Sequence, residues 1–184
     1  MTKLPSMHFY RDILRMRGGD LKVWHYFCYV AESGRFAPSI FFSDSSPRDH
    51  TNPWFECGSR ILEKWRPNEA DALFLAGHNW QLVPEDCAVP VLNLIQNMRH
   101  AEPNDPRYRY LRRRAFRSSV SEEVSEALAA TGELNGPIVT IPVGIDVQPE
   151  AQLLELPARQ RPVDVLIAGI KNPVFATELE DALR

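Results

Sequence analysis

Two short apolar runs constrain the fold of this chain more than any other feature. Residues 70–77 and 89–96 are dense in Ala, Val, Leu, Ile and Phe, and they end in a glycine and in a polar residue respectively. An apolar run without strict polar alternation is typical of a strand that is buried on both faces, as strands are in parallel sheets. The two runs therefore predict buried strands of a layered α/β domain.

Further strands and helices alternate along the chain. Content of β-branched and aromatic residues predicts strands at residues 21–30, 39–42, 118–120 and 138–143. Helices are predicted at residues 59–65 and 107–117, and after Ser121, which is expected to cap a helix that ends near Gly132. Strands that alternate with helices imply parallel pairing, so the predicted fold is α/β, with an open, Rossmann-like parallel sheet flanked by helices.

The length of 184 residues suits one full-sized domain and part of another. We expect a Rossmann-like domain at residues 1–146 and an interdomain linker at 147–161. Residues 162–184 are expected to form the first strand and helix of a second Rossmann-like domain. Because such a unit has too little surface to bury alone, the rest of that domain is expected to lie outside this sequence.

Composition indicates an ordinary globular protein, with 44% hydrophobic residues and a net charge of −3. No apolar run approaches the roughly 20 residues that span a bilayer, and the N-terminus lacks the pattern of a signal peptide. Cys28, Cys57 and Cys87 lie far apart, without the spacing of a zinc site or a disulfide framework. These features predict a reducing, cytoplasmic location.

Polar residues follow the two apolar runs directly. In open α/β sheets a ligand lies outside the carboxyl ends of the strands. After the first run, His78 can act as an acid or base and Trp80 can stack on a sugar, although both can equally serve local packing. After the second run come amide and basic side chains that suit hydroxyl and phosphate oxygens: Gln96, Asn97, Arg99 and His100.

Arginines form the main charge cluster of the sequence, at positions 107, 109, 112, 113, 114 and 117. On a helix, 109, 113 and 117 would share one face. We expect a solvated face that pairs with nearby carboxylates, because the rest of the chain is acidic and no base-stacking aromatics are interleaved. Nucleic-acid binding is therefore not expected, while contact with an anionic membrane surface stays open as an alternative.

The order of motifs from residue 91 to residue 146 resembles the end of the N-terminal domain in GT-B-type, nucleotide-sugar-dependent glycosyltransferases. The motifs are a buried strand, a polar break, an arginine-rich helix and a short strand that runs into a helix capped by Ser121. The last motif is the tract Pro142-Val143-Gly144-Ile145-Asp146. In that family a similar Pro-x-Gly-Ile-Asp tract leads towards the second domain.

The resemblance implies a sugar transfer from a nucleotide diphosphate sugar to a hydroxyl of a glycan, lipid or small-molecule acceptor. The nucleotide sugar is a co-substrate, and neither a metal nor a further cofactor is implied. Carried over to this sequence, Gly169, Lys171 and the following Asn172 are the positions expected to bind the donor diphosphate. The chain alone is expected to be inactive, because the missing C-terminal domain completes the donor pocket.

The glycine-rich loop that many members carry after their first strand is missing from the predicted arrangement. Residues 31–36 take its place, and Glu32 is the carboxylate best placed there to contact an acceptor hydroxyl. Glu32 and His78 are therefore the catalytic candidates. The main alternative function is a non-catalytic Rossmann-like module that binds a sugar, a nucleotide or a protein partner. An enzyme with a classical dinucleotide site is disfavoured, because the chain lacks G-x-G-x-x-G.

Overall fold

A computed structural model describes residues 3–14 and 18–142. Six strands in this part of the chain form one sheet, in which every neighbouring pair is parallel and the order is β2-β1-β3-β4-β5-β6. The strands are β1 (Ser6–Arg11), β2 (Ala37–Phe42), β3 (Ala72–Ala76), β4 (Val91–Ile95), β5 (Phe116–Ser119) and β6 (Ile138–Thr140). The predicted α/β, Rossmann-like arrangement is thereby confirmed.

Two α-helices cross the sheet, α1 (Gly18–Glu32) and α2 (Glu122–Ala130). Five short 3₁₀ helices occupy the connections: Pro53–Arg60, Pro67–Glu69, Asn79–Leu82, Met98–Ala101 and Tyr108–Arg112. None of the helices within the described residues is both long and apolar enough to cross a bilayer.

Helix α1 covers one face of the sheet with an aromatic core. Val23 and Phe27 of α1 pack with Phe9, Phe74 and Leu94. The Phe9 ring lies edge-on to Phe27 at a centroid distance of 5.1 Å and stacks on Phe74 at 4.6 Å. This face is therefore held mainly by buried apolar area.

The opposite face carries the alternate side chains of the same strands. Leu73 and Leu75 of β3 pack there with Trp80 and Tyr110. Further along the same face, Ile95 packs with residues of α2 and of the preceding turn, namely Leu111, Val124 and Leu128. Both faces of the sheet are covered, which explains the continuous apolar runs of the central strands.

The prediction of a strand at residues 21–30 is wrong, because these residues lie within α1. Val23, Phe27 and Val30 recur at helical spacing and pack against the sheet, so their β-branched and aromatic character reflects burial rather than extended backbone. The true first strand is β1, which the prediction missed. Its sequence Ser-Met-His-Phe-Tyr-Arg holds two basic residues, and it does not resemble a buried strand.

Two predicted helices are also wrong. Residues 59–65 include only the end of a 3₁₀ helix, after which Ile61 forms a parallel bridge with Ile40 of β2. Residues 107–117 form the 3₁₀ helix Tyr108–Arg112 and then the start of β5. The arginines at 109, 113 and 117 consequently do not share a helical face.

Arg117 gives the physical reason for that short helix. Its side chain is fully buried, and its guanidinium donates to the carbonyls of Tyr110, Leu111 and Arg113 at 3.1, 2.8 and 2.7 Å. The carbonyl of Asn135 accepts a further hydrogen bond at 2.8 Å. A continuing helix would have used these carbonyls as acceptors for its own amides. Here the Arg117 guanidinium binds them instead.

The other predicted elements are confirmed. Strands are present within or overlapping residues 39–42, 70–77, 89–96, 118–120 and 138–143. Ser121 caps α2, since its Oγ accepts a hydrogen bond from the Val124 amide at 3.4 Å, and the helix ends before Thr131 and Gly132. The chain divides into units at residues 1–143 and 144–184. The predicted linker and second domain lie outside the described residues, so these bounds stay a prediction.

Candidate functional site

The sheet has one topological switch point, at β1. The chain passes from β1 to β2 on one side and then returns to place β3 on the other side. In doubly wound sheets this arrangement opens a crevice beyond the carboxyl ends of the two strands that flank the switch. We call the carboxyl ends of β1 to β4, together with the first turn of α1, the switch edge.

Asp12 follows β1 directly and contributes an exposed carboxylate to the switch edge. Its Oδ1 accepts hydrogen bonds from the hydroxyls of Ser43, at 2.5 Å, and Ser45, at 2.9 Å, which follow β2. The hydroxyls of Ser43 and Ser45 lower the pKa of Asp12, so the carboxylate is charged at neutral pH. A charged carboxylate at this position can accept a hydrogen bond from a ligand hydroxyl.

Two glycines open α1 at the same edge. Gln96 follows β4, and its Nε2 donates to the carbonyl of Gly19 at 3.3 Å. A Cβ atom at Gly19 would lie 3.2 Å from Gln96 Oε1, so a larger residue would require the Gln96 side chain to shift by a few tenths of an ångström. The start of α1 therefore lies beside the end of β4.

The glycine pair corrects one expectation from the sequence. Because the first strand is Ser6–Arg11, the segment after it leads to Gly18 and Gly19, and a small-residue opening does follow the first strand. Residues 31–36, which were expected to stand there, instead connect the end of α1 to β2.

Arg11 and Asp20 fix the beginning of α1 to the end of β1. Arg11 Nη2 forms an ion pair with Asp20 Oδ1, and the two side chains are only 13% and 9% exposed. The largely buried ion pair between Arg11 and Asp20 therefore holds the first turn of α1 against the sheet.

Glu32 is the last residue of α1. Because α1 runs back across a parallel sheet from the carboxyl end of β1 to the start of β2, this places Glu32 at the amino ends of the strands. Glu32 was selected because it was expected to follow a strand, and that expectation is wrong.

His78 does follow β3, in a turn that Gly77 begins with a φ of +56°. The histidine side chain is exposed. Of the two catalytic candidates from the sequence, only His78 lies at the switch edge.

Trp80 is packed in the core. Its side chain is 3% exposed and stacks with Tyr110 at a centroid distance of 6.3 Å. The guanidinium carbon of Arg113 lies 4.7 Å from the centre of the Trp80 ring. These contacts favour the alternative of local packing for Trp80.

The polar tract after β4 divides into different roles. Gln96 binds Gly19, as described, and Asn97 caps the next 3₁₀ helix by accepting from the Arg99 amide at 2.9 Å. Asn97 and Arg99 are exposed, so both can still contact a ligand. His100 is 5% exposed, and burial lowers its pKa to about 4, with the positive charge of Arg107 acting in the same direction. A neutral, enclosed His100 is a packing residue.

Sequence reasoning missed Asp12, Ser43 and Ser45. The signal was present for the two serines, because Ser-Asp-Ser-Ser follows the correctly predicted strand at residues 39–42. Asp12 gave no comparable signal, since β1 itself was not predicted. Residues 169, 171 and 172, the expected donor-phosphate positions, lie outside the described residues.

No three His, Cys, Asp or Glu side chains within residues 3–14 and 18–142 are grouped so that they could hold a metal ion. No family model matches this chain, and no curated protein and no solved structure matches it. Function must therefore be inferred from the sequence pattern and from the geometry of the switch edge.

Proposed function

We propose that this chain contains the acceptor-side domain of a GT-B-type glycosyltransferase and the beginning of its donor domain. The full enzyme would transfer a sugar from a nucleotide diphosphate sugar to an acceptor hydroxyl. The observation that carries the proposal is the contact between Gln96 and Gly19, which brings a glycine-opened helix to the ligand-binding edge of a parallel sheet. A glycine-rich opening after the first strand is the family feature that the sequence pattern had lacked.

Asp12 receives the acceptor hydroxyl in this proposal. Its carboxylate is charged, exposed and oriented by Ser43 and Ser45. It accepts a hydrogen bond from the hydroxyl and takes its proton as the oxygen bonds to the anomeric carbon, while the bond from that carbon to the nucleoside diphosphate breaks and the nucleoside diphosphate leaves. Asn97 and Arg99 contact other hydroxyls of the acceptor from the exposed turn after β4, and Gly169, Lys171 and Asn172 bind the donor diphosphate.

A non-catalytic binding module is the second candidate. It is favoured by the placement of Trp80 and His100 in the core and by that of Glu32 away from the switch edge. Among the candidates considered above, these placements leave Asp12, His78 and Arg99 as the exposed titratable groups at the switch edge. Such a module would bind a sugar or nucleotide at the same edge without turnover.

Ligand binding by two lengths of the protein tests the proposal. Thermal shift with UDP, GDP and their sugars is measured on the 184-residue chain and on an extended version that carries the rest of the proposed donor domain. The proposal requires that only the extended protein is stabilised by a nucleotide sugar, because the donor pocket needs both domains. Tight nucleotide binding by the short chain would contradict it.

Sugar transfer by the extended protein then separates the enzyme from the module. Asp12→Asn should lower kcat by about 100-fold or more, as expected for loss of a group that moves a proton. Asp44→Asn is the matched control, since Asp44 is a nearby exposed carboxylate in the segment after β2. Unchanged kcat in Asp12→Asn removes Asp12 from the proposed role, and absence of any transfer favours the module.

A further inference from the structure

A cleft of about 400 Å³ lies beside the face of the sheet that α1 does not cover. The 3₁₀ helix after β3 and the segment that follows it contribute Trp80, Gln81 and Glu85. The arginine-rich turn before β5 contributes Arg109, Tyr110 and Arg113. We call this site the cation cleft.

Arg109 and Arg113 bring two guanidinium groups to the cation cleft without a carboxylate partner. Within the described part of the chain, neither forms an ion pair, whereas Arg107 and Arg112 from the same segment pair with Asp105 and Glu133. Two unpaired cations beside one carboxylate, that of Glu85, leave the cleft with a positive charge. The local field therefore favours an anion.

The two guanidinium groups are held in place by aromatic rings and carbonyls. Arg109 lies over the Tyr110 ring, with its guanidinium carbon 4.8 Å from the centroid, and its Nη2 donates to the Tyr110 hydroxyl at 2.7 Å. Arg113 lies over Trp80 and donates to the Val83 carbonyl at 2.8 Å. Positioned guanidinium groups lose less conformational freedom when they bind an oxyanion.

Trp80 also lines the cation cleft, with the guanidinium of Arg113 over its ring. Its side chain is 97% buried, and its Nε1 donor has no acceptor among the described residues. Nearly all buried N–H groups in folded proteins are paired, because an unpaired donor retains the cost of its lost hydration. Trp80 Nε1 is itself enclosed, so the donors that the cleft presents are those of Arg109 and Arg113, and the complementary group is one rich in acceptor oxygens.

We infer that the cation cleft binds the phosphate of a small, hydroxyl-bearing phosphomonoester. Arg109 contacts the phosphate oxygens with the guanidinium N–H groups that do not donate to the Tyr110 hydroxyl. Arg113 adds its positive charge from its position over the Trp80 ring. Glu85 and Gln81 accept hydrogen bonds from the hydroxyls of the ligand, which sets such a ligand apart from an inorganic ion. The same chemistry occurs in a free sugar or glycerol phosphate and in a phosphatidic acid headgroup. This inference does not depend on the proposed function, because it concerns other residues.

The experiment is a titration of the 184-residue chain with glycerol 3-phosphate, followed by ¹H–¹⁵N spectra of the tryptophan indole groups. The chain has four tryptophans, and the signal absent from Trp80→Phe identifies Trp80. The inference predicts saturable binding that shifts the Trp80 signal and that is about 10-fold weaker in Arg109→Gln, as expected for loss of a charge-assisted contact. Arg109 is exposed, so this variant is expected to fold.

Arg114→Gln is the matched control, because Arg114 is also exposed, lies in the same segment and lines a different cavity. Its affinity for glycerol 3-phosphate should stay within about two-fold of the parent. Equal weakening in Arg109→Gln and Arg114→Gln would overturn the inference, since it would indicate a general surface charge effect. Absence of saturable binding to both the soluble ligand and the vesicles described next would also overturn it.

Vesicles distinguish the two sources of the phosphomonoester. Flotation is measured with phosphatidylcholine vesicles that do or do not contain phosphatidic acid. Binding that requires phosphatidic acid and is lost in Arg109→Gln, but not in Arg114→Gln, supports a lipid headgroup in the cation cleft. Binding to glycerol 3-phosphate without flotation supports a free phosphomonoester as the ligand.

Discussion

The two faces of the sheet are stabilised in different ways. The face under α1 is packed with rings, among them Phe9, Phe27 and Phe74. The face under α2 buries polar groups that must find partners, such as Asn93, which donates to the Leu75 carbonyl at 3.1 Å. Arg117 is the extreme case, a buried cation that donates to carbonyls only. Apolar area thus holds one face, while the other combines apolar packing with specific hydrogen bonds of buried polar groups.

Replacing Arg117 should cause the largest loss of stability among the variants that test this difference between the two faces. Arg117→Met removes the donors of several buried carbonyls at once, so we expect unfolding to become easier by about 3–5 kcal/mol. Urea denaturation followed by circular dichroism measures the change. Arg114→Gln, an exposed arginine nearby, should change the free energy of unfolding by less than about 0.5 kcal/mol. A loss below about 1 kcal/mol in Arg117→Met would mean that the carbonyls find other partners.

Acid should weaken the face under α2 through His100. Burial lowers the pKa of His100 to about 4, whereas the unfolded chain takes up a proton near pH 6.5. The unfolded state therefore binds more protons between these values, and stability falls as pH decreases through this window. From pH 7 to pH 5 we expect a loss of about 2 kcal/mol.

Urea denaturation at both pH values measures this loss, and His100→Gln should remove most of it. Burial also lowers the pKa of His8, which adds a remaining decrease in the same direction. An equal pH dependence in the parent and in His100→Gln would contradict the assignment to His100.

The face under α1 should respond to packing and not to pH. Phe27 is 1% exposed and contacts Phe9 edge-on. Phe27→Leu keeps an apolar side chain but leaves a small void, so we expect a loss of about 1–1.5 kcal/mol. Denaturation at pH 7 and pH 5 should give the same loss. If the loss differed between the two pH values, the two faces would not differ in their response to pH as we expect.

The cap of α2 should give the smallest effect. Ser121 Oγ accepts from the Val124 amide at 3.4 Å, a long hydrogen bond. Ser121→Ala should therefore cost about 0.5–1 kcal/mol, at the low end for loss of a helix cap. Thermal denaturation detects the change, and Ser121→Asp, which restores an acceptor near the helix amides, should recover the stability. Failure of Ser121→Asp to do so would show that the cap contributes little.

The central part of the sheet could be predicted from sequence because its strands are buried on both faces. The runs at residues 70–77 and 89–96 have no sequence feature that favours another structure, and Gln96 follows β4 as the second run predicts. Ser121 was equally clear, since acidic residues follow it in the first turn of α2. Local sequence and tertiary packing agree at these places.

The strand β1, the helix α1 and the Asp12 contact were harder to predict because tertiary contacts override local preference. His8 and Arg11 made β1 appear polar, although Arg11 is neutralised by Asp20 from the next element. The aromatic content of α1 suggested a strand, although its residues pack as one helical face. The contact of Asp12 with Ser43 joins residues 31 apart, so it becomes visible only when β1 and β2 are paired.

The carbonyl contacts of Arg117 have a consequence for how the chain folds. All of them lie close in sequence, and the most distant acceptor, Asn135, is 18 residues away. Closing a loop of this size is fast and costs little chain entropy. We therefore expect the segment from the arginine-rich turn to β6 to assemble early. The charge of Arg117 must be enclosed by these carbonyls before β5 can pair with β4 in the sheet.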